Sequence, residues 1–588
     1  MKKTQCLFAL LLVLCLLLCA CSEKKETAAS TTASAGTQSA ETVTNAAQQS
    51  TAAESEVRTP DPADLFTLRD LDGSWDEDAA VRIRLEGDSA SCDSSAVQIS
   101  GATVTIAAEG VYVLTGTLSD GEIIVNCSKE EKVQLVLNGA EIHSADFAAI
   151  YVAQADKVFL TLADGTVNTL TNGGSFTASD ESNVDAVIFA KDDLTINGSG
   201  ALLITSPGGH GVVGKDEVTI CGGSFEITSA KTAISGKDSL SVSSGVFKLI
   251  AGTDAMKSEN DDTTLGNVYL AGGSYNLSAD GDGVSASGTL TVAGGSYTVL
   301  TGSGGNDTDK SQKGMKAGSA LTILDGTIWV SSTDDSIHSN GSITVLAGTL
   351  NLSSGDDGVH ADDTVTVAGG SVTVRESYEG IEGLKICLRG GELEITASDD
   401  GLNAGGGGDS SGYGGRGGDM FSGNSDALLE ISGGTVTVNA GGDGLDTNGS
   451  LNLSGGTVTV YGPTNDGNGS LDYGTDAAVT GGSLIALGSS GMAVNFRSAT
   501  QGAILLNVGS QSAGTTVTLT DADGNVLLSC TAEKAFAAVN LTCPELAQGG
   551  TYTVTAGAFS QTLTLDSLIT GSGGTGGPGG PGGFGGRR

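Results

Sequence analysis

The chain has few basic residues for its length. Lys and Arg together number 28 against 69 Asp and Glu in 588 residues, which gives a formal net charge of −41 at pH 7. The sequence contains no cluster of Lys and Arg that could neutralise a phosphate backbone. We therefore expect no nucleic-acid partner.

Several catalytic and metal-binding motifs are also missing. We find no Ser/His/Asp arrangement, no CxxC pair typical of zinc sites and no phosphate-binding loop above the background of turn glycines. Residues 521–525 (Asp-Ala-Asp-Gly-Asn) lack the later acid that an EF-hand needs, and the alternating strands on both sides predict a hairpin turn instead. These absences disfavour hydrolases and nucleotide-dependent enzymes.

The N-terminus has the order of a bacterial secretion signal. Lys2 and Lys3 precede an apolar run over residues 7–18, which is too short to span a membrane permanently. Residues 18–21 (Leu-Cys-Ala-Cys) resemble a lipobox. We therefore predict a lipoprotein signal over residues 1–21, with Cys21 as the lipidated residue, and a location on the extracellular face of the bacterial cell membrane. Ordinary secretion with cleavage nearby is the alternative.

Two segments have compositions that do not favour folding. Residues 22–62 are rich in Ala, Ser and Thr with almost no large apolar side chain, and residues 569–588 are Gly- and Pro-rich without a sustained collagen period. Such segments bury too little apolar surface to offset the entropy of ordering. We expect a disordered tether and a disordered tail.

Six cysteines remain after the signal, and none forms a CxxC pair. Buried free thiols are the favoured interpretation, and only Cys530 and Cys543 are close enough in sequence to make a disulfide plausible. The six are Cys92, Cys127, Cys221, Cys387, Cys530 and Cys543.

Between about residues 180 and 490 one phrase recurs. Each copy has a polar turn with an acid, a Gly and an apolar residue, then a Thr-rich strand, a Gly-Gly-Ser/Thr turn and a second strand. Half of the intervals between the anchor glycines are 22 residues, and most of the others are the same unit with an insertion. The anchors are Gly223, Gly245, Gly273, Gly295, Gly326, Gly348, Gly370, Gly391, Gly434, Gly456 and Gly482.

This repeat predicts an all-β fold. Apolar residues alternate with polar ones inside each copy, as in strands with one buried face, and a unit this short needs its neighbours to complete a core. Successive copies run in the same direction, so the strands must pair in parallel and the coil should be right-handed. We predict a right-handed parallel β-helix over residues 63–500, with about fifteen coils. A small antiparallel β module should follow over residues 501–568.

One column of the repeat is aromatic, with Phe225, Phe247, Tyr275 and Tyr297 two residues after successive anchors. Its place among apolar columns favours internal stacking over a sugar-binding platform.

A second column is acidic and lies in the polar turn. Stacked coils hold equivalent residues about 4.8 Å apart, where two carboxylates repel by about 3 kcal/mol at an effective dielectric constant near 20. The column consists of Asp185, His210, Thr232, Asp254, Asp282, Lys313, Asp335, Asp357, Glu379, Asp400 and Asp443, with further acids beside it.

This repulsion predicts compensating cations. Ca²⁺ accepts six to eight oxygen ligands in flexible geometry, so neighbouring carboxylates and carbonyls can supply its coordination. Solvated turn aspartates are the alternative. His338 and His360 share a column, and we interpret them as turn-capping residues rather than ligands of a transition metal. The predicted calcium ligands are Asp334, Asp335, Asp356, Asp357, Glu379, Glu382, Asp399, Asp400, Asp443 and Asp446.

Several short segments besides the lipobox are distinctive. They are residues 70–76 (DLDGSWD), 191–196 (KDDLTI), 334–341 (DDSIHSNG), 356–363 (DDGVHADD) and 377–383 (SYEGIEG). With these segments the sequence resembles a clostridial family of cell-surface, carbohydrate-binding β-helix lipoproteins over about residues 64–560. The resemblance implies a pectate-lyase-like β-helix with bound calcium that binds cellulose and acidic sugars such as polygalacturonate. This chain departs from the acidic pattern at His210, Thr232 and Lys313.

We therefore expect a lipid-anchored protein that binds acidic or cellulosic polysaccharide through a calcium-lined face. Because Trp75 and Trp329 are the only tryptophans, crystalline cellulose is the less supported ligand. Two alternatives remain open. One is a Ca²⁺-dependent polysaccharide lyase with Lys313 or Lys316 as the base, and the other is a surface adhesin with structural calcium.

Overall fold

The computed structural model of the protein describes residues 59–177, 183–302, 311–405 and 424–571. The predicted signal peptide, Cys21 and the tether up to residue 58 lie outside the described residues, as does the tail from residue 572. Within these ranges, no helix is both long and apolar enough to cross a membrane.

The described chain is a right-handed parallel β-helix of about 15 turns, as the sequence predicts. Each regular coil contributes three strands, and each strand pairs in parallel with its equivalent on the next coil. We call these three stacks the first, second and third columns. The turn that joins a first-column strand to a second-column strand contains the acidic residues, and we call it the acid turn.

Strand lengths differ between the columns. First-column strands are Val167–Asn172, Ala201–Ser206, Ser224–Ser229, Val246–Ala251, Ser274–Ala279, Ser296–Thr301, Thr327–Ser331, Thr349–Ser353, Ser371–Glu376, Glu392–Ala397 and Thr435–Ala440. Second-column strands are Ile150–Gln154, Ala186–Ala190, His210–Gly214, Ile234–Gly236, Met256–Ser258, Val284–Ala286, Met315–Ala317, Ile337–Ser339, Leu402–Ala404 and Leu445–Thr447. Third-column strands are Lys157–Leu162, Asp193–Gly198, Glu217–Ile220, Ser239–Val242, Asn267–Leu270, Thr289–Val292, Ala320–Ile323, Ser342–Val345 and Leu428–Ile431.

Four longer strands contribute to two columns each, and irregular strands precede and follow the regular coils. The longer strands are Val359–Val367, Ile381–Leu388, Ser450–Tyr461 and Asp476–Gly488. The preceding elements are the short helices Pro62–Leu65 and Leu68–Leu71 and the strands Val81–Gly87, Ala90–Ser91, Val97–Ser100, Thr103–Ile106, Gly110–Leu118, Glu122–Asn126 and Lys132–Ser144. The following strands are Ser498–Ala499, Ala503–Gln511, Thr516–Thr520, Val526–Thr531, Phe536–Thr542, Thr551–Ala556, Phe559–Thr564 and Ile569–Thr570.

The aromatic column lies inside the helix, which confirms the prediction of internal stacking. Phe225, Phe247, Tyr275 and Tyr297 are each at most 2 % exposed. Their rings are nearly parallel, with successive centroids 4.9, 4.8 and 4.5 Å apart. Each tyrosine hydroxyl donates to the backbone carbonyl three residues earlier, at 2.7 Å. The stack therefore adds aromatic contacts to the burial of large side chains.

The anchor glycines are required by backbone geometry. All eleven have positive φ, between 74° and 147°. At Gly348 a Cβ atom would also lie 2.8 Å from the carbonyl oxygen of Gly326 on the preceding coil. A residue with a side chain would therefore be strained in both backbone conformation and coil spacing.

Beyond the last coil the strands become antiparallel. Phe536–Thr542 pairs antiparallel with both Asp476–Gly488 and Ala503–Gln511, so the large sheet continues past residue 500. Four strands between residues 516 and 564 form a separate antiparallel sheet. Its first hairpin is closed by Asp521, whose carboxylate accepts the backbone N–H of Asn525 at 2.8 Å. The antiparallel module is thus confirmed, and the boundary at residue 500 stays a prediction.

All six described cysteines are free thiols, as predicted, but burial is confirmed only for Cys127, Cys387 and Cys543, whereas the other three are half-buried. Burial raises the pKa of Cys530 to about 11 and that of Cys543 to about 12. Both thiols therefore stay protonated at neutral pH and behave as small apolar side chains.

Candidate functional site along the acid turns

The acid turns bring the predicted residues into one column. Two positions after each of these residues, a second-column residue pairs with its equivalent on the next coil. This pairing fixes the alignment of the acid turns. Asp185 is an exception, because Ala186 rather than Asp185 pairs with His210, so the sequence alignment is wrong by one residue there. The aligned residues are His210, Thr232, Asp254, Asp282, Lys313, Asp335, Asp357, Glu379, Asp400 and Asp443.

Close packing between coils explains the glycine that follows most acids of the column. A Cβ atom on Gly380 would lie 2.2 Å from Ile395 Cγ2 and 2.3 Å from the carbonyl oxygen of Gly401. The Glu-Gly and Asp-Gly pairs therefore let each turn approach the next coil.

Carboxylates of the column connect successive coils by hydrogen bonds. Asp335 Oδ1 accepts the backbone N–H of Asp357 at 3.0 Å, and Asp357 Oδ1 accepts that of Glu379 at 3.2 Å. Asp400 Oδ1 accepts the N–H of Asp443 at 2.6 Å. Two further pairs nearer the N-terminus have the same geometry. One oxygen of each such carboxylate thus has a structural role, and the other can contact a cation.

In one coil that cation is a lysine. Lys313 is 1 % exposed, and its Nζ lies 2.9 Å from Asp334 Oδ1 and 2.7 Å from Asp335 Oδ2. These two acids and Asp356 form a group whose ligand oxygens lie within 4.8 Å of one another. The ammonium group already balances part of its charge, so the group is a poorer cation site than its carboxylates alone would suggest.

Two histidines contact the carboxylates of the next two coils. His338 Nδ1 lies 2.8 Å from Asp335 Oδ2, and His360 Nδ1 lies 3.1 Å from Asp357 Oδ2 and 2.8 Å from Glu382 Oε2. The two imidazole rings stack with centroids 5.2 Å apart. They contact the acid-turn carboxylates directly, in agreement with a role in the turn.

The pKa shifts follow these contacts. Burial opposes ionisation of Asp335, but the hydrogen bond from His338 and the charges of Lys313 and His360 outweigh it and hold its pKa well below the usual range. Burial likewise opposes charge on His360, yet its hydrogen bonds to neighbouring carboxylates raise its pKa well above the ordinary value. His360 is therefore an imidazolium at neutral pH, and the group of Asp357, His360 and Glu382 contains its own cation.

The C-terminal part of the column lacks such compensation. Burial, assisted by neighbouring carboxylates, raises the pKa of Asp400 to about 6 and that of Asp443 to about 7. The same causes raise the pKa of Asp446 well above its ordinary value, and burial raises that of Asp472. Within the described ranges, no Lys, Arg or His forms an ion pair with any of these four residues.

Three of these carboxylates have the geometry of a cation site. The ligand oxygens of Asp443, Asp446 and Asp472 lie within 4.8 Å of one another. Asn403, which pairs with Asp446 in the second column, has a buried Oδ1 without a hydrogen-bond partner. An all-oxygen donor set with an orphaned amide oxygen beside it suits a hard cation such as Ca²⁺.

Asp472 is not predicted from the repeat, because the insertion in its coil breaks the 22-residue spacing. A parallel bridge between Leu445 and Leu471 places Asp472 beside Asp446. The repeated Leu-Asp dipeptide was the available signal. The remaining predicted ligands lie outside this group: Glu379 accepts the side-chain N–H of Asn403 at 2.8 Å, and Asp399 accepts the backbone N–H of Gly442 through its carbonyl.

Outward side chains of the second column change character along the helix. From the N-terminal to the C-terminal coils they change from aromatic side chains to lysines, then histidines, then acidic side chains. The uncompensated negative charge is therefore concentrated towards the C-terminus. In coil order they are Tyr151, Phe189, Val213, Ser235, Lys257, Ser285, Lys316, His338, His360, Glu382, Asn403 and Asp446.

The two lysines proposed as lyase bases occupy different surroundings. The carboxylates around Lys313 stabilise its protonated form, which favours a structural role over proton abstraction. Lys316 donates to Ser311 Oγ at 3.1 Å and lines a cleft of about 530 Å³ together with Asp254 and Lys257. Of the pair, only Lys316 is placed where a saccharide could reach it.

Comparison with known proteins finds a curated relative and a solved structure that are similar to parts of this chain. A relative from Acetivibrio thermocellus, described as a carbohydrate-binding domain-containing protein, is 32 % identical over 153 residues, which are 26 % of this chain and 54 % of the relative. The chain thus spans about half the length of that relative. A solved structure of a polysaccharide lyase-like protein from C. thermocellum, a gadolinium derivative, shares 29 % identity over 42 % of this chain and 96 % of that chain, with a TM-score of 0.39.

A family match covers most of the chain. The family model described as carbohydrate-binding domain-containing protein matches residues 100–358 and 356–558, which include every described acid turn. The chain belongs to this family of carbohydrate-binding domain-containing proteins.

Proposed function

We propose that the protein binds acidic polysaccharide, such as polygalacturonate, through Ca²⁺ at the C-terminal end of the acid column. The observation that carries the proposal is the group of Asp443, Asp446 and Asp472, whose oxygens converge without a protein cation in the described structure. A polyuronate would be repelled by a chain with a net charge of −41 unless a cation bridges the two sets of carboxylates. When bound, Ca²⁺ would supply that bridge.

The proposal includes a place for the protein. A lipid anchor at Cys21 would hold it on the extracellular face of the cell membrane, and residues 22–58 would extend the binding face from the surface. Polysaccharide and the lipid bilayer are then its partners.

Calorimetric titration of the purified protein with oligogalacturonates, in millimolar Ca²⁺ and in EDTA, tests the proposal. We expect binding to be much tighter in Ca²⁺ than in EDTA, and we expect the double variant Asp443→Asn, Asp446→Asn to lose this gain in affinity. Asp261→Asn removes one exposed carboxylate elsewhere and is the matched control. Equal binding in EDTA, or loss of binding in the control as well, would contradict a calcium bridge at this group. Absorbance of unsaturated uronate products in the same samples tests lyase activity.

A further inference from the structure

A single exposed tryptophan stands on the outer face of the first column. Trp329 is 48 % exposed, on a face otherwise made largely of Thr, Ser and Asn. It pairs in register with Thr298 on the preceding coil and with Asn351 on the next one. The core side chains of these strands point to the opposite face of the sheet. The indole ring on the polar outer face is therefore not stabilised by burial in the core.

Arg375 fixes the environment of this ring. Its guanidinium carbon lies 5.5 Å from the centroid of Trp329, and its terminal nitrogen donates to Asn351 Oδ1 at 2.9 Å. No Asp or Glu among the described residues forms an ion pair with Arg375, although the chain carries 69 acidic residues. The guanidinium has five N–H donors, and only part of them is used by Asn351. An oriented cation with free donors is thus exposed on an acidic protein.

Tryptophan and arginine together match one chemical group. The apolar C–H face of a pyranose ring packs against an indole, and a guanidinium forms bidentate hydrogen bonds with a carboxylate. A uronic acid residue presents both features within one ring. Neutral glucose presents the apolar face without the carboxylate.

The position of the pair relates it to the acid turns. Trp329 lies on the coil of Asp334, and Arg375 on the coil of Glu379, in each case four or five residues before the turn. The strands that carry them lead directly into those turns. The calcium group begins at Asp443, two coils (about 10 Å) beyond the coil of Arg375 and four coils (about 19 Å) beyond that of Trp329, so one polysaccharide chain several sugar residues long could reach both sites.

We propose that Trp329 and Arg375 form a metal-independent subsite for a uronic acid residue. The proposal rests on the proposed function for its ligand class, but it requires no calcium. It predicts a weak contact that persists in EDTA and adds to the calcium-dependent contact when both sites bind one chain.

Intrinsic fluorescence isolates this subsite. The protein has only two tryptophans, so Trp75→Phe leaves Trp329 as the sole indole reporter. We expect trigalacturonate in EDTA to change its emission in a saturable manner, and Arg375→Gln to weaken the apparent affinity at least about tenfold. Cellotriose should give a response at least about tenfold weaker.

Matched controls lie on the same outer face. Lys248→Gln removes an exposed cation that pairs with Glu226, and Leu300→Ala removes an apolar side chain that is 45 % exposed. Neither control should alter the titration, whereas Trp329→Ala should abolish the metal-independent binding seen by calorimetry. Far-ultraviolet circular dichroism confirms that each variant is folded.

Each outcome is decisive. A flat emission, an effect of Lys248→Gln equal to that of Arg375→Gln, or an equal response to cellotriose would overturn the subsite. If Trp329 responds while calorimetry finds no effect of Ca²⁺, the calcium bridge fails and the subsite stands. If binding is Ca²⁺-dependent while Trp329 stays silent, the calcium bridge stands and the subsite fails.

Discussion

Replacing Lys313 by Met tests whether the acid column needs a cation on every coil. Methionine keeps the apolar stem and removes the ammonium group that lies 2.9 Å from Asp334 and 2.7 Å from Asp335. Removing one partner of a buried ion pair costs about 3–5 kcal/mol, because the remaining charge is left without compensation. Protonating one carboxyl at pH 7 relieves the repulsion at a cost of roughly 4 kcal/mol, which sets a similar limit. We therefore expect the coil to lose about 3–4 kcal/mol.

Native-state hydrogen exchange with mass spectrometry measures this loss locally, which matters because coils of a solenoid need not unfold together. Peptides covering residues 315–345 should exchange faster in the variant in EDTA, by a factor that corresponds to the expected free energy of opening. Lys248→Met, which removes an exposed ion pair with Glu226, should cost about 0–1 kcal/mol. Millimolar Ca²⁺ should slow exchange at this coil in the Lys313 variant and leave the unaltered coil unchanged. A loss below about 1 kcal/mol for Lys313→Met would refute the reasoning that protein cations hold these coils together.

Three further predictions concern the core, the pH dependence and the coil spacing. Tyr275→Ala should lower the free energy of unfolding by about 3–5 kcal/mol, and Tyr275→Phe by about 1 kcal/mol because only the bond to a carbonyl is lost, as urea denaturation will show. In EDTA, stability should fall by several kcal/mol from pH 4 to pH 7, with about 6 kcal/mol as the upper limit before solvent screening, because the folded protein binds protons at Asp400 (pKa about 6) and Asp443 (pKa about 7) more tightly than the unfolded chain; a melting series in which Asp443→Asn shows the same fall would contradict this. Gly380→Ala should cost at least about 1–3 kcal/mol, measured as a lower melting temperature, and a neutral result would contradict the close packing against Ile395.

The sequence period was sufficient to predict the fold, because every coil packs against its neighbours through the same positions of the repeat. The aromatic column could be placed inside from its apolar neighbours, and the anchor glycines from their spacing. Asp185 shows where this method fails: the coils before Gly223 are less regular, and a shift of one residue cannot be detected without a repeat to align. The outer strands after residue 500 follow a different direction, and the sequence carries no signal that they extend the large sheet.

The position of the candidate site could be predicted from the sequence, but the contacts of its carboxylates could not. Sequence spacing brings Asp335 and Asp357 onto adjacent coils, as the structure shows. It cannot show that each carboxylate accepts a backbone N–H from the next coil, nor that Lys313 reaches back to two of them. Such contacts depend on the path of the backbone in the turn and on side-chain conformation. Asp472 was not predicted, because an insertion changes its spacing in the sequence, although the fold places it in register with the column.

The acid column contains protein cations on some coils and none beside Asp443 and Asp446 in the described structure, and we propose that this difference marks the calcium site. The coils around Lys313 and His360 carry their own cations, although burial and neighbouring carboxylates still raise the pKa values of Asp357 and Glu379. The coils of Asp443 and Asp446 keep carboxylates with raised pKa values, which is costly unless something outside the chain compensates them. A purely structural use of calcium would be served as well by another lysine or histidine at these positions. Retaining bare carboxylates instead makes sense if the cation there must remain available to a ligand, since a lysine would fill the site that a bridging Ca²⁺ shares with a uronate.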